Sequence, residues 1–220
     1  MLTLHTAPLL LPVGSAPLPD GAVLVEHDRI AAIGPRAALE AEHPRARVRA
    51  WPGVLTPGLR QRHAQWLLTS CYHPDPREAD RLGTEPLHGE ALAAHGLTAA
   101  ELDVPRRAGS VRRGLQQMLR YGTTAVAVVP GDPLLAAPVA RSGLETVPVP
   151  DAPPVPDPLP SLDPLAGARD LADVVLRPLA VGARADFAVF DVPDEAALAA
   201  RGAAGCVATV IAGRLLHRRR

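Results

Sequence analysis

Residues 148–164 read PVPDAPPVPDPLPSLDP. Proline fixes φ and removes a backbone donor, so this stretch builds neither a helix interior nor a central strand. It is expected to run as a stiff, extended connector. Regular structure in this chain of 220 residues therefore has to be found before and after it. The apolar fraction of 47% is enough for a buried core. Aromatics make up only 3%, so core contacts fall to Ala, Val and Leu.

Residues 1–56 carry β patterning. Residues 2–11 are expected as one strand, followed by a Pro/Gly-rich turn region. Residues 22–26 and 29–33 then flank His27-Asp28 as a hairpin, closed by Gly34-Pro35. Residues 46–50 form another strand, with Val48 alternating against Arg47 and Arg49. In 70–108, Pro74, Pro76, Pro86 and Pro105 interrupt the pattern, leaving short helices over 90–95 and 99–103. Ser110 is placed as an N-cap, with Val111, Leu115, Met118 and Leu119 on one helical face and Gly122 as the stop. TTAVAVV follows as a buried strand. A helix over 133–142 and a short strand over 144–149 complete a β-α-β rhythm. Beyond the connector, residues 174–192 are expected as two strands about Val181-Gly182. A helix over 194–201 and a final hairpin about Gly213-Arg214 close the chain.

The formal net charge is zero, and arginine supplies every fixed positive charge because lysine is absent. That balance argues against an electrostatically driven nucleic-acid binder, and the basic end from His217 to Arg220 reads as a solvated terminus. Cys71 and Cys206 do not make a disulfide framework, so a reducing cytoplasm is expected. No signal peptide is expected, since the first apolar run lacks a basic start and is cut by Pro8 and Pro12. No membrane span is expected either.

Three pieces, taken in order, resemble the amidohydrolase superfamily of metal-dependent hydrolases. They are DGAVLVEHDRIAAIGP (residues 20–35) with WPGVLTPGL (51–59), GTTAVAVV (122–129), and LAVGARADFAVFD (179–191) with VATVIAGRLL (207–216). The nearest flavour is that of imidazolonepropionase and aminodeoxyfutalosine deaminase. The resemblance implies a mixed α/β fold, with a β-sandwich built from both chain ends and a metal-bearing (β/α)8 barrel between them. It also implies attack of metal-bound hydroxide on a C–N centre. The family's first barrel strand ends in PG-x-x-x-x-H-x-H. This chain has Pro57, Gly58 and His63, but Gln65 stands at the second histidine. A whole barrel takes about 200 residues, whereas only about 120 separate Pro57 from Leu176. The expected architecture is therefore a composite β-sandwich over 1–56 and 174–220, a partial β/α barrel remnant over 57–150, and the Pro-rich connector over 151–173.

A catalytic zinc or iron needs about three protein ligands and an open position for water. His63 reads as a remnant of such a site, as one ligand of an assembled site, or as a surface histidine. Placed on a strand, it would point the same way as Gln65. Cys71, His73 and Asp75 alternate and would share one side if extended, with chemistry that suits zinc, although Pro74 and Pro76 favour a turn there. His88 and His95 would lie about 10 Å apart along a helix, too far for one ion. Asp132 reads as a cap for the helix that follows, and Asp186 as a turn or hydrogen-bonding residue. No serine or cysteine nucleophile has a recognisable setting, and there is no phosphate loop.

The expected function is a truncated amidohydrolase-like protein, catalytically impaired, with a binding, scaffolding or subunit role. No cofactor is expected. A homo-oligomer or protein partner is expected to cover the partial barrel. The rival is a metal-dependent hydrolase of non-peptide C–N bonds, of the cyclic amide, amidine or deaminase type. It would use zinc or iron on His63 with Cys71, His73, Asp75 or a second subunit.

Overall fold

The computed structural model describes residues 2–97, 102–149 and 159–219. Most of the helix expected over 99–103 and the middle of the Pro-rich stretch lie outside the described residues. In chain order the elements are β1 (Leu2–Leu10), β2 (Leu18–Glu26), β3 (Arg29–Pro35), α1 (Arg36–Glu42), β4 (Arg47–Ala50), β5 (Val54–Pro57), β6 (Leu59–Gln61), α2 (Ala64–Thr69), α3 (Ala79–Leu82), α4 (Gly89–Ala93), α5 (Val104–Leu119), β7 (Thr123–Val128), α6 (Ala136–Ser142), β8 (Glu145–Pro148), β9 (Phe187–Phe190), α7 (Glu195–Arg201), β10 (Cys206–Ile211) and β11 (Arg214–Arg218). The chain is mixed α/β, and no helix among the described residues is long and apolar enough to cross a membrane. Two compact units are distinguished: Met1–Arg60 with Leu119–Ala125 and Asp163–Arg220, and Gln61–Met118 with Val126–Leu162.

The first unit is organised by an eight-stranded sheet in the order β11-β10-β9-β5-β1-β2-β3, with β4 also paired to β1. The two parts of the chain meet where β5 pairs antiparallel with β9, from Val54 opposite Phe190 to Pro57 opposite Phe187. Short apolar runs such as AVLV and FAVF become strands here because both faces of the sheet are covered. Side chains alternate between faces along a strand. Val23 and Val25 of β2 join a core with Leu55, Phe187 and Val210, while Ala22 and Leu24 pack with Leu4 and Leu39. β9 divides in the same way, with Phe187 and Val189 in one core and Ala188 and Phe190 in another that contains Val54 and Leu198.

The hairpins are set by their turns. Glu26 pairs with Arg29, and His27 between them takes φ 56. Ile211 pairs with Arg214, and Ala212 and Gly213 both have positive φ, as a two-residue turn matched to strand twist requires. This turn sits one residue earlier than the expected one about Gly213-Arg214. The strand expected before Val181 does not form. A 3₁₀ turn over Leu171–Val174 precedes it, and Val175 makes only an isolated bridge with Leu59. Pro178 cannot donate to a ladder, and Leu179 instead ties to the first turn region, its N–H donating to the Pro12 carbonyl over 2.9 Å.

In the second unit the amphipathic α5 starts earlier than expected. Asp103 caps it, its carboxylate accepting from the Arg106 N–H over 2.7 Å, and Pro105 sits in the first turn where its missing N–H costs nothing. Ser110 is thus buried within the helix rather than capping it. α6 begins at Ala136 rather than Pro133, after a turn. A small core gathers Tyr72, Leu82, Leu92 and Leu102. A second sheet, not confined to this unit, has three strands in the order β6-β7-β8, and its central strand β7 is buried at every position.

Candidate functional site

The segment that carries the candidate ligands begins at β6. The strand ends at Gln61, and α2 begins at Ala64 because Ala64, Leu67 and Leu68 fall on one buried helical face. His63 and Gln65 are therefore not strand neighbours pointing the same way, as the spacing predicted. His63 is the residue before the helix, with φ −105 and ψ 20, and it is exposed. Partial burial, followed by the nearby Arg62 charge, holds its pKa below the ordinary value. Gln65 lies inside the helix and is 9% exposed. Its Oε1 accepts from the Val129 N–H over 2.9 Å and its Nε2 donates to Asp132 Oδ2 over 2.8 Å.

His73 is fully buried. Its Nε2 faces the Leu67 carbonyl at 2.9 Å and its Nδ1 faces the Gln117 side chain at 2.6 Å. Its backbone N–H donates to Ser110 Oγ over 2.9 Å. Burial pushes the imidazole pKa down and the two hydrogen bonds pull the other way, with the Arg113 charge adding to the fall. The ring also lies against α5 where only Gly114 fits: a Cβ there would stand 2.7 Å from His73 Nε2.

Asp75 is a cap. Its Oδ1 accepts from the Arg77 N–H over 3.0 Å and its Oδ2 pairs with Arg113 at 3.3 Å. Glu78 completes a reciprocal capping box by accepting from the Asp75 N–H. Cys71 is buried, and burial alone pushes its thiol up to about 12. Beside these residues Tyr72 donates to Glu78 over 2.5 Å, and Arg106 binds both the same carboxylate and the phenol oxygen.

Nothing in this arrangement gathers Cys71, His73, Asp75 and His63 around one point. Among the described residues, no group of three or more His, Cys, Asp or Glu side chains is placed to hold a metal ion. Both nitrogens of His73 are already engaged, Asp75 is tied to a cap and an arginine, and the thiol resists forming the thiolate that binds metal. The donor set does not fit a catalytic zinc or iron.

Asp132 caps the turn before α6, its Oδ1 accepting from the N–H groups of Leu134 and Leu135. Asp186 accepts from the Ala212 N–H over 2.7 Å and pairs with Arg184. His88 precedes α4 and packs edge-on against Trp66 at 5.4 Å, while His95 lies past the end of that helix. Gln61 and Gln117 gave no signal in the sequence, and Ser110 bonds the His73 N–H instead of making the cap expected of it. Gln61 is 2% exposed and donates to the carbonyls of Ser161 and Leu162. Amides and hydroxyls carry no spacing signature, and their partners lie far away in the chain.

Residues 21–46 match the family described as the imidazolonepropionase-like composite domain of bacteria. The match runs through the β2–β3 hairpin and α1 and stops just before β4. No curated protein matches the chain in sequence. Solved structures similar to it include an adenosine deaminase from Xanthomonas campestris with bound zinc, at 22% identity and a TM-score of 0.46, covering 66% of this chain and 33% of that one. The aminofutalosine deaminase of Helicobacter pylori in complex with methylthio-coformycin is similar at 16% identity and 0.46, covering 66% and 34%. The ochratoxinase of A. niger is similar at 20% identity and 0.44, covering 67% and 30%. The chain spans about a third of the length of these structures.

Proposed function

We propose, from the likeness of residues 21–46 to an imidazolonepropionase-like composite domain, that this chain is an amidohydrolase-like protein with a binding, scaffolding or subunit role and impaired hydrolase chemistry. In this reading residues 1–56 and 174–220 make the composite β-sandwich, residues 57–150 are what remains of a β/α barrel, and 151–173 connect them. The observation that carries the reading is the commitment of the would-be donors. His73 and Asp75 spend their polar atoms on hydrogen bonds and an ion pair inside the protein. The sheet joining both parts of the chain, by contrast, has its cores filled on both faces. Chemistry has been given up while the frame has been kept.

The partner in this reading is a second copy or another subunit. Among the described residues β8 stands at the end of a three-stranded sheet, and edge strands invite pairing. The test is elemental mass spectrometry of untagged protein alongside its solution mass. A metal-free, folded dimer or complex is the expected result. About one zinc or iron per chain, lost in His63→Ala, would instead support the rival reading as a hydrolase of non-peptide C–N bonds.

A further inference from the structure

We infer that Gln65 is a positioning residue, a two-ended joint that ties α2 to the turn after β7, and that this use of the position excludes metal ligation there. The inference goes beyond the binding role and stands whether or not a partner exists. A carboxamide carries an acceptor and donors at the tip of one flexible side chain. Gln65 uses both ends: Oε1 takes the Val129 N–H at 2.9 Å and Nε2 reaches Asp132 Oδ2 at 2.8 Å.

Asp132 extends the joint. Its other oxygen receives the N–H groups of Leu134 and Leu135 at 2.8 and 3.1 Å, so one glutamine and one aspartate satisfy three backbone donors where the chain leaves β7 and turns towards α6. At the helix end, the Gln65 carbonyl accepts from Thr69 Oγ1 over 2.8 Å. Buried backbone donors left unpaired are costly.

An imidazole at position 65 faces a choice that the amide does not. A ring nitrogen that accepts from Val129 has no lone pair left for an ion, and one turned towards an ion leaves the Val129 N–H unpaired. Restoring a histidine at this position therefore trades a structural bond for a ligand. With His63 exposed before the helix, the exchange does not complete a site.

The test is amide hydrogen exchange at Val129 in the full chain, with zinc uptake as a second readout. In the natural sequence the Val129 amide exchanges slowly. In Gln65→Met it exchanges many-fold faster, and the melting temperature falls by several degrees. Gln65→His, incubated with zinc and desalted, retains no stoichiometric metal. A Val129 amide that exchanges at an open-loop rate in the natural protein overturns the joint, and this arm needs no variant to fold. So does unchanged exchange in Gln65→Met. About one zinc per chain in Gln65→His, with Val129 still protected, overturns the exclusion of metal.

Discussion

Trp51 donates its indole N–H to Nδ1 of His5 over 3.0 Å, with both side chains buried in the sheet of the first unit. The two ring planes lie within 13° of each other with centroids 6.0 Å apart, and the His5 and Phe187 rings meet edge to face at 4.8 Å. A histidine that accepts at Nδ1 is neutral and carries its proton on Nε2. Burial, followed by the Arg49 charge, pushes its pKa down to about 3.

The sign of the resulting pH dependence follows. Above pH 6.5 the imidazole is neutral in both folded and unfolded chains, and the stabilisation is fully present. As pH falls from 6.5 towards 3, the unfolded chain takes up a proton that the folded one refuses, so stability drains across that window. Urea titrations at stepped pH check this. His5→Leu leaves the Trp51 N–H without its acceptor, lowers stability at neutral pH by about 1–3 kcal/mol, and flattens the slope below pH 6.5.

Gly58 is the single residue between β5, which ends at Pro57, and β6. A Cβ at this position runs into the Thr124 side chain of β7. Gly58→Ala is expected to cost about 1–3 kcal/mol through overpacking. Thr124→Ala in that background should recover part of the loss, and a double-mutant cycle on unfolding free energies measures the coupling. Additive losses would mean that the backbone elsewhere absorbs the methyl group.

Tyr72, Glu78 and Arg106 form a closed triangle of hydrogen bonds, with the guanidinium 5.0 Å from the phenol ring centre. Burial works against ionisation of Glu78, but the bonds from Tyr72 and the Asp75 N–H, with the Arg106 charge, hold its pKa below the ordinary value. Tyr72→Phe removes the hydroxyl and is expected to cost about 1 kcal/mol while leaving the Arg106–Glu78 pair at 2.6 Å in place. Thermal melts of the single variant and of Tyr72→Phe with Arg106→Ala separate the two contributions.

The two cysteines should be chemically silent in the folded protein. Burial pushes the Cys71 thiol to about 12, and Cys206, also raised chiefly by burial, to about 11. An aromatic disulfide reagent at pH 8 is expected to label neither until the chain is unfolded, when both react. Labelling of Cys71 in the native state would show that the segment around it opens.

The strands were readable from the sequence wherever the local signal was complete. The strand composition of Ala22 to Glu26 and the turn at His27-Asp28 are contained within a few residues, as is the run of Phe187 to Phe190. What failed depended on partners elsewhere. Ser110 has the chemistry of a cap, but its hydroxyl is taken by the His73 N–H, a contact spanning much of the second unit. Pro105 looked like an interruption, yet the first turn of a helix accepts it once Asp103 supplies the cap. The spacing of His63 and Gln65 suggested a strand pair, and the buried face of α2 overruled it. His73 and Asp75 had ligand chemistry in sequence but bond to different neighbours in space, and Cys71 is buried as a thiol. A spacing rule names atoms that can bind and is blind to those already bound.

The pairing of β5 with β9 has a consequence for how such a chain is made. Strands translated early stay edge-exposed until residues from far along the message arrive to zip against them, so the sheet closes late and its folding is governed by loop closure. The same stitch makes the loop's contents negotiable. Material between the two strands can be lengthened, pruned or exchanged over evolutionary time while the seam holds. The body that folds around the seam depends on those two strands and not on the length of what lies between them.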